Sequence, residues 1–159
     1  MLVTPLQLVD AYATLANGGT RYRPQIVSKV TRIKDAALPP GQEGNFDVVT
    51  TVEPEALGKV DMTPQQHGQI VSGLVGVTQS GEGTAAASWR ASPTAWPMAG
   101  KTGTAQVRGK ADTALFAGWG PTGPGAVPQY AISVVVPEAG FGGDVASPLA
   151  FRILQPLSH

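Results

Sequence analysis

Two stretches of the chain carry apolar residues at helical spacing, and both open with the same local sequence. Residues 4–7 (TPLQ) and 63–66 (TPQQ) each place threonine at an N-cap, proline at the first helical position and glutamine three residues after the cap. The pattern predicts two capped helices, the first ending at residues 17–19 (NGG) and the second near residues 80–81. The apolar positions are Leu8, Tyr12 and Leu15 in the first helix and Ile70, Val71, Leu74 and Val75 in the second.

The segment between the two helices has strand-like character. Residues 26–33 and 46–52 are rich in β-branched side chains and flank the turn sequence PPG at residues 39–41, which predicts a loop-linked hairpin. Residues 81–97, which follow the second helix, mix glycine, alanine, serine and proline. They predict an irregular connection with a short helix at residues 84–89.

The last third of the chain predicts three strands in close succession. The second and third are joined by the proline- and glycine-rich residues 121–128, so an antiparallel meander is the simplest arrangement. Residues 145–155 then predict a final helix with Asp144 as its N-cap. The predicted strands are residues 98–107, 114–120 and 130–137.

Helices followed by an antiparallel sheet indicate an α+β fold rather than a parallel βαβ arrangement. We predict a sheet of three antiparallel strands from this chain, flanked by helices. Residues 1–97 would form a helical region with a hairpin insertion, and residues 98–159 the meander and the last helix. The 159 residues are expected to form part of one domain, since domains typically span about 100–200 residues.

Charge and composition narrow the functional classes. Eleven basic residues balance eleven acidic ones, which argues against a general nucleic-acid or anionic-membrane binder, because such proteins carry a basic excess. The absence of cysteine excludes disulfides, thiolate catalysis and cysteine-ligated zinc. The first residues have neither the basic nor the apolar region of a signal peptide, and no run approaches the roughly 18 apolar residues of a membrane span.

The stretch of residues 99–106 (AGKTGTAQ) concentrates the candidate chemistry. Lys101 brings one cation and Thr102 and Thr104 bring two hydroxyls, while the neighbouring side chains are small enough for another backbone to approach. A regular strand would point Lys101 to the opposite side from the two threonines, unless a glycine-permitted twist turned the ammonium towards them. Such a strand suits an extended peptide with a terminal carboxylate.

Residues 99–106 also allow two other interpretations, a phosphate-binding loop and an ordinary edge strand. Gly100-Lys101-Thr102 matches the end of a phosphate-binding P-loop, but the leading glycine of that motif would fall at position 95, which is alanine, and no helix is predicted to follow. Taken alone, the stretch also fits an ordinary edge strand with a solvated lysine.

The K-T-G sequence at residues 101–103 resembles the third signature motif of penicillin-binding proteins. Residues 3–20 are similar to the helix that follows the second motif in class B members of that family, and residues 116–121 (FAGWGP) are similar to the strand beside K-T-G. The resemblance covers residues 3–25 and 96–155. It implies the serine β-lactamase/penicillin-binding transpeptidase fold and a peptidoglycan D,D-transpeptidase that works through an acyl-serine intermediate.

The chain departs from the family pattern in the motifs that carry the nucleophile. No serine is followed by lysine three positions later, and neither a serine nor a tyrosine is followed by asparagine two positions later, so S-x-x-K and S-x-N are both missing. In the family these motifs precede the element matched at Val3. We therefore expect the C-terminal part of a transpeptidase domain, inactive alone, with the upstream half as its partner and the parent protein anchored at the extracytoplasmic face of the bacterial membrane.

The resemblance implies roles for individual residues. Thr102 and Thr104 would bind the carboxylate of a stem peptide or a β-lactam, with Gly103 between them, and the Thr104 backbone N–H would be an oxyanion donor. Lys101 would supply positive potential. No cofactor, metal or nucleic-acid partner is implied.

Other candidate residues have a weaker basis in the sequence. Gln106 and Trp119 are candidate substrate contacts, although core packing is the favoured role of each tryptophan. His67 is expected to pack against a helix or lie at the surface, and His159 to be disordered. The alternatives to an enzyme are a sensor that binds β-lactams or peptides without turnover, and a purely structural fragment that leaves one sheet edge open.

Overall fold

The computed structural model describes residues 3–39, 42, 44–92 and 96–158. Four α-helices and seven strands lie within these ranges, and a short 3-10 turn, Gln155–Leu157, follows the last helix. Among the described residues, no helix combines the length and the apolar character needed to cross a membrane. In chain order the elements are α1 (Pro5–Ala16), β1 (Thr20–Tyr22), β2 (Lys29–Ile33), β3 (Phe46–Thr51), β4 (Ala56–Lys59), α2 (Pro64–Gln79), α3 (Ala86–Arg90), β5 (Ala99–Ala105), β6 (Thr113–Gly120), β7 (Tyr130–Val136) and α4 (Ala146–Leu154).

The first turns of α1 and α2 are held by the reciprocal caps that the sequence predicts. The Thr4 hydroxyl accepts from the Gln7 N–H at 3.2 Å, and the Gln7 side chain accepts from the Thr4 N–H at 2.9 Å. Thr63 and Gln66 repeat both hydrogen bonds at the start of α2. These contacts satisfy backbone donors that have no partner inside a helix. Helix α1 stops where Gly18 and Gly19 adopt positive φ values of 83° and 108°.

Strands β5, β6 and β7 form the central sheet, in that order and antiparallel throughout, which confirms the predicted meander. The sheet lies between two helices. On one face, Phe116 of β6 meets Phe151 of α4 with ring centroids 5.5 Å apart. On the other face, Trp119 of β6 meets Tyr12 of α1 at 6.2 Å. Because successive strand residues point to opposite faces, residues 116 and 119 anchor one strand from both sides.

Two further strand pairs stand outside this sheet. Strands β2 and β3 pair antiparallel as the predicted hairpin, and every residue of both strands is exposed. The predicted turn between them includes residues 40 and 41, which lie outside the described residues. Strands β1 and β4 also pair, through Thr20 with Lys59, and the sequence does not predict this pair. Strands of three and four residues are too short to show an alternating pattern.

The predicted cap of the last helix is wrong. Helix α4 begins at Ala146, its N-cap is Val145, and no side chain caps it. The chain already turns before the helix, since the N–H groups of Asp144 and Val145 both donate to the carbonyl of Phe141. The Ser147 N–H donates to the Gly142 carbonyl, and backbone acceptors thus replace the expected Asp144 carboxylate.

The short helix predicted at residues 84–89 is present as α3, which begins two residues later and ends one residue later than predicted. Residues 93–95, part of the irregular connection that the sequence predicts, lie outside the described residues, and so does His159.

Candidate active site

Strand β5, which carries the K-T-G sequence, is an outer strand of the central sheet. Within the described residues it pairs only with β6, and its other edge is open. The register runs without a bulge from Ala99 opposite Trp119 to Ala105 opposite Thr113. The strand is therefore regular, so Lys101 points to one face and Thr102 and Thr104 to the other.

Two glycines bring β5 and β6 into close contact. A Cβ on Gly118 of β6 would lie 2.3 Å from the Ala99 carbonyl oxygen, and one on Gly100 would lie 2.5 Å from the Phe116 ring. Only glycine fits at these two positions, because real Cβ atoms do not approach other atoms so closely. The Phe116 ring fills the space beside Gly100 and supports β5 from the side of the core.

The hydroxyl of Thr102 is held from behind the strand. Thr102 is 8% exposed, and its Oγ1 lies 2.6 Å from Oγ1 of Thr84, in the loop before α3. Thr104 is exposed, and its hydroxyl accepts a long hydrogen bond of 3.4 Å from the Gly142 N–H. The sequence predicts neither Thr84 nor Gly142 as a site residue, because neither belongs to a motif and both are far from K-T-G along the chain.

The ammonium of Lys101 turns back to its own strand. Lys101 is exposed, and its Nζ donates to the carbonyl oxygen of Thr102 at 2.7 Å. The ion pairs among the described residues involve other cations, so no described carboxylate neutralises Lys101. One exposed positive charge thus lies on one face of β5 and two hydroxyls on the other, without the twist that would turn the ammonium towards them. The binding of a carboxylate by these residues stays a prediction.

Trp119 occupies the core rather than an open surface. It is 2% exposed and packs against Tyr12, whose pKa is raised because burial disfavours the phenolate. It shares a sheet face with Lys101, two positions along the register. Its use as a substrate contact stays a prediction, and so does that of Gln106, which is exposed just beyond the end of β5.

The other aromatic and histidine side chains have packing contacts. The Trp89 indole N–H donates to the carbonyl of Trp96 at 3.0 Å, and the Trp96 ring stacks on Tyr130 at 5.6 Å. The His67 Nε2 lies 2.7 Å from the Leu15 carbonyl oxygen, which joins α2 to the end of α1. The structure thus places His67 at a helix–helix contact.

A cavity of about 460 Å³ lies between the end of α1 and the loop before β7. Its lining includes Asn17, Trp119 and Tyr130, and it does not include Lys101 or Thr104. Lys101 and Thr104 therefore lie on β5, outside this cavity.

The family model for the penicillin binding protein transpeptidase domain matches residues 1–155. The chain belongs to this family. This match confirms the resemblance drawn from K-T-G. The residues predicted to carry the family's third motif lie on β5. The mixed arrangement of helices and antiparallel sheet is the fold of penicillin-binding transpeptidase domains.

Individual penicillin-binding proteins show the same likeness. Penicillin-binding protein 2A of Bacillus subtilis (strain 168) is 38% identical over 145 residues, which are 84% of this chain and 18% of that protein. PBP2 of Pseudomonas aeruginosa, solved in complex with WCK 5153, superposes with a TM-score of 0.75 at 29% identity, covering 99% of this chain and 30% of that one. PBP-2B of Streptococcus pneumoniae strain R6 gives a TM-score of 0.74 at 26% identity, covering 95% of this chain and 24% of that one. The chain thus spans less than a third of each penicillin-binding protein.

Proposed function

We propose that this chain supplies the carboxylate-binding strand of a peptidoglycan D,D-transpeptidase that cross-links stem peptides. One observation carries the proposal: no strand in the described part of the chain pairs with the second edge of β5, and Lys101, Thr102 and Thr104 follow one another along this strand. An extended peptide can add to such an edge through backbone hydrogen bonds, and the threonine hydroxyls can then hold its terminal carboxylate while Lys101 supplies positive potential. The Thr104 N–H is proposed as one oxyanion donor.

The nucleophile is proposed to come from outside these 159 residues. None of the eight serines has lysine three positions later, the spacing of the family's S-x-x-K motif. The partner would be the upstream half of the same domain, carrying S-x-x-K and S-x-N. Residues 1–97 and 98–159 would then be two regions of one transpeptidase domain, with the acyl-serine intermediate formed on the upstream half.

The proposed carboxylate site and the proposed peptidoglycan substrate also suggest a second class of ligand and a cellular location. A β-lactam carries a carboxylate that can occupy the place of the stem-peptide terminus, so we propose that the complete protein binds β-lactams. WCK 5153 in the Pseudomonas aeruginosa relative supports ligand binding in this fold. Peptidoglycan lies outside the cytoplasm, and we propose that the parent protein acts at the extracytoplasmic face of the membrane through an anchor in another segment.

Labelled penicillin added to the full-length native protein tests the proposal. We expect covalent label on a serine outside this chain, and an acylation rate about 100-fold lower after Lys101→Ala, because one preorganised charge is lost. The matched control is Lys110→Ala, since Lys110 is exposed, lies in the loop between β5 and β6, and forms an ion pair with Glu138 at 3.0 Å.

Two other results decide against the proposal. A protein that takes up no label, with no S-x-x-K in its native sequence or in a partner, would contradict it. Stable acylation without exchange of a peptide acceptor would favour the β-lactam or peptide sensor over the transpeptidase.

A further inference from the structure

Two segments support β5 from the face that carries Thr102 and Thr104. One is the loop before α3, which contains Thr84, and the other is the turn of Gly142 and Gly143 before α4. They are far apart in the chain and meet behind β5. The K-T-G resemblance gives neither of them a role.

The turn lies in direct contact with the sheet backbone. A Cβ on Gly142 would lie 2.3 Å from the carbonyl oxygens of both Gly103 and Leu115, one on β5 and one on β6. Gly142 is buried, so the turn cannot move outwards without exposing that contact. Any side chain at this position would push the turn away from the strand.

The turn also holds the loop that contains Thr84. A Cβ on Gly143 would lie 2.3 Å from the Thr84 carbonyl oxygen and 3.9 Å from Cγ2 of Thr102. Next to Thr84, Ala85 is buried at 1% exposure, and its N–H donates to the Val77 carbonyl of α2 at 3.0 Å. The backbone of Thr84 is therefore fixed on both sides, and its hydroxyl has a defined position 2.6 Å from that of Thr102.

We propose that Thr84 is a positioning residue, which orients the Thr102 hydroxyl towards an anionic carboxylate at the β5 edge. The inference rests on the proposed function, in which Thr102 contacts that carboxylate. An ionised carboxylate only accepts hydrogen bonds, so Thr102 must donate its single hydroxyl hydrogen to it. Thr102 can then accept from Thr84, and the chain Thr84 to Thr102 to carboxylate strengthens each bond. Gly142 and Gly143 hold the loop in place for this pair.

The test compares two substrates on the full-length protein: benzylpenicillin and its methyl ester, which lacks the free carboxylate. The measured quantity is the ratio of their acylation rate constants. We expect Thr84→Val, which keeps the shape but removes the hydroxyl, to lower this acid-to-ester ratio about tenfold, with the ester rate unchanged. Thr84→Ser should retain the ratio, because it retains the hydroxyl. Thr102→Val should lower the ratio by at least as much.

The control is Thr31→Val, which removes an exposed hydroxyl on β2 and should leave both rates unchanged. An equal fall in both rates after Thr84→Val assigns Thr84 a purely structural role and overturns the inference. If neither Thr84→Val nor Thr84→Ala folds, Thr84 is again assigned a purely structural role, and the inference is overturned.

The two proposals fail in different ways. If the wild type shows no preference for the acid, the proposed carboxylate site is wrong, and the inference falls with it. If Thr102→Val lowers the ratio and Thr84→Val leaves it unchanged, only the inference about Thr84 is wrong.

Discussion

The central sheet and the β2–β3 hairpin are both antiparallel, yet they differ in burial. Strand β6 is nearly all buried, with Phe116 at 0% and Trp119 at 2% exposure. Every residue of β2 and β3 is exposed, including Ile33 at 51% and Val48 at 58%. The difference comes from the helices: in the described ranges, α1 and α4 pack on the sheet and neither packs on the hairpin.

This contrast separates strand pairing from stability. An isolated two-stranded hairpin is marginally stable in water, whereas a sheet packed on helices has a core. The residues proposed for function lie on β5, which the core supports through Phe116, and a preorganised site needs such rigid support. The hairpin has pairing without a core, and we expect it to open locally at lower free energy than the sheet.

The largest effect is expected from truncating a core phenylalanine. Phe116→Ala should lower the free energy of unfolding by about 3–5 kcal/mol, because it leaves a cavity against Phe151. Phe46→Ala, in the exposed hairpin, should cost about 1 kcal/mol or less. Denaturant unfolding of both variants gives the two values. Equal losses would show that the hairpin is as much a part of the cooperative core as the sheet.

A smaller effect is expected where β5 and β6 touch. Gly118→Ala would place a Cβ 2.3 Å from the Ala99 carbonyl oxygen, and the resulting overpacking should cost about 2 kcal/mol. Gly58→Ala in β4 is the matched control, since a Cβ there meets nothing within 4 Å. Thermal melts distinguish the two. A Gly118→Ala protein as stable as the control would mean that the strands can separate freely.

Much of this architecture follows from local sequence signals. The capping boxes at Thr4 and Thr63 locate two helix starts to the residue, because the motif itself makes the hydrogen bonds. The meander and the hairpin follow from β-rich runs separated by proline and glycine. The strand that carries Lys101 can be found in the same way, since its motif is contiguous.

The remainder depends on contacts between distant segments. The Thr84–Thr102 pair joins residues 18 positions apart, and the Gly142 contact with Thr104 joins residues 38 positions apart. No local sequence pattern predicts contacts at such separations. The β1–β4 pair is equally non-local. The Asp144 cap is wrong for a related reason, because a preceding turn already supplies the acceptors that a cap would provide.

A smaller effect again is expected at the junction of α2 with β5. The Thr78 hydroxyl donates to the carbonyl oxygen of Met98, and both residues are fully buried. Thr78→Val keeps the shape and leaves that acceptor without its donor, so the free energy of unfolding should fall by about 1 kcal/mol. Thr50→Val in the exposed strand β3 serves as control and should leave stability unchanged. Equal free energies of unfolding in urea for Thr78→Val and Thr50→Val would mean that the buried hydrogen bond from Thr78 to Met98 does not stabilise the protein.

The smallest effect is expected at the base of the hairpin, where Arg23 and Glu55 pair through two hydrogen bonds of 2.5 and 3.1 Å. The hydrogen bond from Arg23 lowers the pKa of Glu55 below its usual value. Because the pKa of Glu55 is lower in the folded state, its ionised carboxylate stabilises the fold at pH values above 4.5, the ordinary glutamate pKa. This stabilisation is lost as the pH falls through the lowered pKa of the folded state. Both side chains are more than half exposed, so solvent and salt screen the pair.

Glu55→Gln should therefore lower the melting temperature only slightly at neutral pH, with the difference from wild type vanishing in acid once Glu55 is protonated. Melting curves across this pH range at low and high salt provide the measurement. A large loss at neutral pH that persists in high salt would mean that the pair is shielded from solvent. The base of the hairpin would then resemble the packed sheet, and the contrast between the two regions would begin further out along β2 and β3.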